Sequence, residues 1–214
     1  MKKAVIFDLD GTLLYTLEDL CSAVNAALAL RNLPPRSLEE VRRFVGNGVR
    51  NLMRRALPAG TAEAEIDAAL ADFKRYYATH IRDATVPYDG IPELLTALRK
   101  RGIKVGVLSN KIDSAAQELI HSFFPGKVDV IFGEHKDIPR KPDPASCKLV
   151  MQQLGVKPEE VLYVGDSGTD MQTAKNAALT AVGVTWGFRN REELVQYGAD
   201  CLVDTPKQIL LLLE

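Results

Sequence analysis

Two carboxylates two residues apart, Asp8 and Asp10, follow directly on an apolar, β-prone run, Ala4-Val5-Ile6-Phe7, and lead into Gly11 and Thr12. Such an unbroken run reads as a strand covered on both faces of a parallel sheet. Its charged end then lies at the sheet's carboxyl edge, where open α/β sheets bind ligands. The plainer alternative makes Asp10-Gly11 a turn and Asp8 a cap. Two more strand-like runs end in polar residues: 104–108 in Ser109-Asn110-Lys111, and 161–164 in Gly165-Asp166-Ser167-Gly168-Thr169-Asp170. A loop before a helix adds Arg140-Lys141-Pro142-Asp143. Parallel strands bring these ends together. The converging set is three or four carboxylates, a hydroxyl and a lysine, with no His or Cys beside them. Oxygen donors of that kind favour Mg²⁺ over zinc or copper. A carboxylate can also attack phosphorus, given a cation and a lysine to neutralise the meeting of two anions. The set suits phosphoryl transfer, with Asp10 placed to protonate a leaving oxygen and then activate water.

The elements that must position these groups fall into two stretches. From residue 16 to about 81 the apolar residues recur at helical steps, first as Leu17, Leu20, Val24, Ala27 and Leu28. Pro34-Pro35 break the first helix, and Ser37 with Glu40 forms a capping-box signature for the second. A third helix follows Gly48, and a fourth spans about 61–81. No strand signal appears between Leu13 and Val86, so this stretch reads as a helical lobe inserted into the fold. From residue 86 onward strand and helix alternate to the end, as a parallel sheet with helices on both faces requires. The expected architecture is a doubly wound α/β core, residues 1–14 and 86–214, with a helical cap at 15–85.

Asp8-x-Asp10-Gly11-Thr12, Ser109-Asn110, Lys141-Pro142 and Gly165-Asp166-x-x-x-Asp170 resemble, in order, the four motifs of the haloacid dehalogenase-like hydrolase superfamily. Phe44-Val45-Gly46-Asn47-Gly48, Tyr88-x-Gly90, Leu108-Ser109-Asn110-Lys111 and Val184-Thr185-Trp186-Gly187 are most similar to its phosphoglycolate phosphatase branch. The resemblance implies that Asp8 is the nucleophile and Asp10 the acid/base, and that Ser109 and Lys141 hold the phosphoryl group. It further implies that Asp8, the Asp10 carbonyl and Asp166 bind Mg²⁺, with Asp170 in support. Thr12 and Asn110, and in the helical lobe Asn47 and Arg50, are expected against the substrate. Arg50 shares a helix face with Arg54, and a solvated basic face is the plainer reading of both. Tyr15-Thr16 departs from the acidic residue followed by Ser or Thr that relatives usually carry after Asp-Gly-Thr-Leu, which bears on substrate choice.

The expected activity is Mg²⁺-dependent hydrolysis of a small phosphate monoester, phosphoglycolate first, through an aspartyl-phosphate. A sugar-phosphate mutase, a pyrophosphatase and a non-catalytic phosphate- or Mg²⁺-binding protein are the alternatives. The mutase is disfavoured because relatives of that kind usually carry Val where this chain has Thr12. A dehalogenase would lack the second carboxylate, Asp10. The chain has 214 residues and a formal net charge of −1, which suggests no nucleic-acid surface. Its three cysteines, Cys21, Cys147 and Cys201, are far apart without metal-type spacing, as in a reducing compartment. The apolar run after Lys3 is too short for a signal peptide, and no stretch reaches membrane-spanning length. A cytoplasmic protein, monomeric or homodimeric, is expected, acting on a small phosphorylated metabolite.

Overall fold

The computed structural model describes residues 1–214 and divides them into two compact units, one of residues 1–15 with 87–214 and one of residues 16–86. The first unit is built on a six-stranded parallel sheet: β1 (Ala4–Phe7), β4 (Lys104–Ile112), β5 (Val130–Glu134), β6 (Val161–Gly165), β7 (Thr180–Val184) and β8 (Cys201–Val203). Their order across the sheet is β5-β4-β1-β6-β7-β8. All four residues of β1 are fully buried, as a strand covered on both faces must be. β1 pairs with β4 on one side and β6 on the other. The chain runs outward from β1 in one direction through β4 and β5, then returns to its other side for β6, β7 and β8. That reversal makes the carboxyl end of β1 the topological switch point.

The helices of this unit are α5 (Ile91–Lys100), α6 (Asp113–Phe123), α7 (Ala145–Leu154), α8 (Gly168–Asn176), α9 (Arg191–Gln196) and α10 (Pro206–Ile209). The ends of β1, β4 and β6 therefore share one edge of the sheet. On one face, Cys147, Val150, Met151 and Leu154 of α7 and Met171 and Ala174 of α8 join Ile6, Tyr163 and Ala181 in one buried cluster. This packing fixes both helices, and with them the loops that lead into them.

The second unit holds α1 (Leu17–Ala29), α2 (Leu38–Phe44), α3 (Val49–Ala56) and α4 (Glu63–Tyr77). The capping box at Ser37 and Glu40 is formed in full and starts α2. Arg31 ties the end of α1 to α4 through Glu65 and Asp72. The buried Asp19 carboxylate accepts the main-chain N–H groups of Ala84 and Thr85 and the Thr85 hydroxyl, all within 2.9 Å, pinning the chain where it leaves the helices. Two-residue strands, β2 (Leu14–Tyr15) and β3 (Val86–Pro87), stand where the chain passes between the units. β2 corrects the expectation that no strand lies between Leu13 and Val86. It is set by the turn at Gly11 (φ 83°), whose N–H donates to the Leu14 carbonyl, and is too short to show periodicity. No helix is long and apolar enough to cross a membrane.

Candidate active site

At the end of β1 the Asp8 N–H donates to the Val164 carbonyl of β6, which fixes the buried Asp8 carboxylate between β1 and β6. Lys141 Nζ lies 2.8 Å from Asp8 Oδ1 and 2.7 Å from Asp170 Oδ1. Its approach to Asp8 is off the direction of a hydrogen bond, and Asp8 Oδ1 has no hydrogen-bond partner. Lys141 is itself positioned from β4. Its N–H donates to Asn110 Oδ1 at 2.9 Å, and Asn110 Nδ2 returns a bond to the Lys141 carbonyl at 3.2 Å. Asn110 thus acts here on the lysine loop's backbone.

Asp170 sits in the first turn of α8. Ser167 caps that helix, and its N–H and hydroxyl both donate to Asp170 Oδ2, at 3.1 and 2.5 Å. The Tyr163 hydroxyl donates to Asp170 Oδ1 at 3.3 Å. Gly165 makes this close approach possible, since a Cβ there would fall 2.3 Å from Asp170 Cβ. Asp166 is held from two sides. The Phe188 N–H donates to its Oδ2 at 2.7 Å, and the Thr12 hydroxyl to its Oδ1 at 3.4 Å. Gly187 brings the chain onto it, since a Cβ at Gly187 would lie 2.2 Å from Asp166 Cβ. Trp186 Nε1 donates to the Thr12 carbonyl at 3.1 Å and steadies the same loop.

Asp8, Asp166 and Asp170 each offer a carboxylate oxygen, and these oxygens lie within 4.8 Å of one another. Burial, then the Asp170 charge, push the Asp8 carboxyl up to about 7, against the opposing pull of Lys141. Burial also raises Asp166 well above its ordinary value, with Asp170 and Asp8 adding to it. Burial works against the Lys141 ammonium, but Asp170 and Asp8 outweigh it and hold that group well above the ordinary lysine value. Three buried carboxylates therefore face one ammonium. Hard oxygen donors, an excess of negative charge and an Asp8 oxygen without a hydrogen bond fit a divalent cation of the Mg²⁺ type.

Of the residues expected from the sequence, Asp8, Asp10, Thr12, Ser109, Asn110, Lys141, Asp166 and Asp170 come together at one edge of the sheet. Asp170 stands inside the carboxylate cluster. Asn47 and Arg50 lie in the helical unit. Asn47 has left-handed backbone (φ 61°), and its carbonyl accepts from Asn51. Arg50 donates to Asp67 at 2.8 Å and to Glu63 at 2.7 Å, and Arg54 shares Glu63. Arg50 and Arg54 are thus ion-paired with acidic residues of α4. Two contributors escaped the sequence: the Phe188 main-chain N–H, which leaves no mark in residue type, and Tyr163, whose hydroxyl is hidden in an apolar strand.

The chain matches the profile of the family described as haloacid dehalogenase-like hydrolase over residues 5–184. It is similar to the phosphoglycolate phosphatase of Pseudomonas putida, 37% identical over 98% of this chain and 79% of that one. It is also similar to the N-acetylmuramic acid 6-phosphate phosphatase of Pseudomonas aeruginosa, at 33% identity over 99% and 95%. A solved structure from Lactobacillus delbrueckii subsp. bulgaricus shares its fold with a TM-score of 0.94 and 36% identity, over 100% of this chain and 99% of that one.

Proposed function

The chain belongs to the haloacid dehalogenase-like hydrolase family, and on that premise we propose that it is a Mg²⁺-dependent phosphatase of small phosphate monoesters, phosphoglycolate first among them. The observation that carries this reading is the Lys141 ammonium set between Asp8 and Asp170 inside a buried carboxylate cluster. Asp8 attacks phosphorus, and the phosphorus–oxygen bond to the leaving group breaks as Asp10 gives that oxygen a proton. Asp10 then takes a proton from water, which attacks the aspartyl-phosphate and frees Asp8 and inorganic phosphate. Lys141 and Ser109 hold the phosphoryl oxygens. Asp8, Asp166 and the Asp10 carbonyl hold Mg²⁺, Asp170 supports them, and Thr12 fixes Asp166. When bound, the cation supplies charge neutralisation for an anion attacking an anion.

The helical unit serves as a cap that excludes water and selects the ester. Asn47 and Arg50 are the residues of that unit proposed to contact the ester's non-reacting end. Phosphoglycolate leads because relatives of that name cover nearly the whole chain. The three free thiols suit a reducing cytoplasm, and the protein acts there on a soluble metabolite as a monomer or homodimer.

The test is phosphate release from a panel that includes phosphoglycolate, N-acetylmuramic acid 6-phosphate, sugar phosphates and pyrophosphate, with and without Mg²⁺. Asp8→Asn is run beside the parent. Mg²⁺-dependent release that the variant loses is the expected result, with phosphoglycolate giving the highest kcat/KM. No release from any ester overturns the phosphatase reading, and a different leading ester overturns only the substrate.

A further inference from the structure

Lys111 has no part in the chemistry described so far, yet it is among the most enclosed charged groups of the sheet edge. Its side chain is 2% exposed, and its Nζ lies 2.9 Å from Asp10 Oδ1. Asp10 is more open, at 16%. The ammonium is thus more enclosed than the carboxylate it bonds. The local backbone explains the placement. The pairing of β4 with β5 shifts register between Leu108 and Ile112, which releases Ser109, Asn110 and Lys111 from the regular ladder. Asn110 clamps the backbone of Lys141, and the Ser109 hydroxyl oxygen accepts the Lys111 N–H at 3.3 Å. The lysine stem is then laid toward the end of the neighbouring strand β1.

We propose that Lys111 is the positioning residue for Asp10, anchoring it through Oδ1 so that the carboxyl meets the leaving oxygen and then the attacking water. The inference rests on the phosphatase reading above. A buried ammonium bonded to one carboxylate oxygen fixes the rotamer of a side chain that has only two rotatable bonds. General acid–base catalysis depends on reaching the transferred proton at hydrogen-bond distance. A mispositioned Asp10 would matter most where the leaving oxygen is strongly basic, as in an alkyl phosphate. It would matter little for p-nitrophenyl phosphate, whose phenolate departs without a proton.

The test compares kcat/KM, which reports the steps up to departure of the leaving group, for an alkyl phosphate and for p-nitrophenyl phosphate. Parent, Lys111→Met and Lys111→Arg are measured, with thermal unfolding run alongside. Lys111→Met is expected to lose about 100-fold on the alkyl ester, the lower end of what general acid catalysis supplies, and less than about threefold on the aryl ester. It should also show a burst of p-nitrophenolate, because hydrolysis of the aspartyl-phosphate still needs Asp10. Lys111→Arg should restore most of the alkyl activity. If Lys111→Met does not fold, Lys111→Gln takes its place in the same comparison. Equal losses on both esters, or no loss on either, overturn the role of Lys111. A parent that turns over neither ester overturns the phosphatase reading instead.

Discussion

The carboxylate cluster makes a prediction about stability that needs no substrate. The perturbation is removal of divalent cation at pH 5 and at pH 8. In the folded chain the Asp8 carboxyl is raised from 3.8 to about 7. The folded state therefore holds a proton that the unfolded state has already lost, so stability falls as pH rises through that interval. Between pH 5 and 8 the cost is about 3 kcal/mol, from some two pH units at 1.36 kcal/mol each. Asp166 is shifted the same way and adds to it. The carboxylates lowered by surface pairing, such as Asp67, Asp72 and Asp204, deliver their contribution above the ordinary carboxylate range and stay flat across this window. For a chain of this length 3 kcal/mol corresponds to roughly 6–12 °C in Tm. Scanning calorimetry in EDTA should show that fall from pH 5 to pH 8. Mg²⁺ should raise Tm far more at pH 8, where it no longer has to displace a proton from Asp8. Asp8→Asn, which removes one buried charge, should be more stable than the parent at pH 8 without metal. A parent whose metal-free Tm is unchanged or higher at pH 8, or an Asp8→Asn variant less stable there, would refute the reasoning.

Three further outcomes follow from the same geometry. Lys141→Met leaves Asp8 and Asp170 facing each other without their shared cation; it should cost about 3–5 kcal/mol in denaturant unfolding and abolish phosphate release. Asn110→Ala removes both bonds to the Lys141 backbone; it should destabilise by roughly 1–3 kcal/mol and lower kcat more than it raises KM, read from initial rates. Gly187→Ala places a Cβ 2.2 Å from Asp166 Cβ; it should raise the Mg²⁺ concentration for half-maximal activity about tenfold or more, and an unchanged Mg²⁺ titration would show that Asp166 tolerates the shift.

What the sequence disclosed and what it hid divide along physical lines. β1 was legible because four apolar residues in a row have one common explanation, a strand covered on both faces, and the helices because their apolar steps and the Ser37–Glu40 box are local. Convergence of Asp8, Ser109 and Asp166 could be argued because parallel strands end on one edge. Contacts that depend on side-chain direction were not legible. Asn110 has the residue type of a ligand-binding group, but it is turned to the lysine loop. Arg50 has the type of an anion receptor, but acidic residues of α4, Glu63 and Asp67, lie within its reach. Spacing of 13 and 17 residues across a loop carries no helical signature. The two-residue strand β2 fell below the length at which alternation can be seen.

The charge balance of the site ties these pieces to one another. Three carboxylates gathered about one ammonium make a buried site rich in negative charge, an arrangement that disfavours a phosphate dianion and raises the Asp8 carboxyl. A divalent cation cancels that excess. On the proposed function, a cation held there would leave Asp8 ionised and Lys141 available to an incoming phosphoryl group. On the same reading, Asp170 both raises the Asp8 carboxyl and belongs to the cluster that would hold the cation. Replacing Asp170 by a neutral residue would relieve Asp8 but remove one carboxylate oxygen from the cluster. Gly165 and Gly187, which let the chain approach Asp170 and Asp166 so closely, are therefore as much a part of the chemistry as the charged groups they admit.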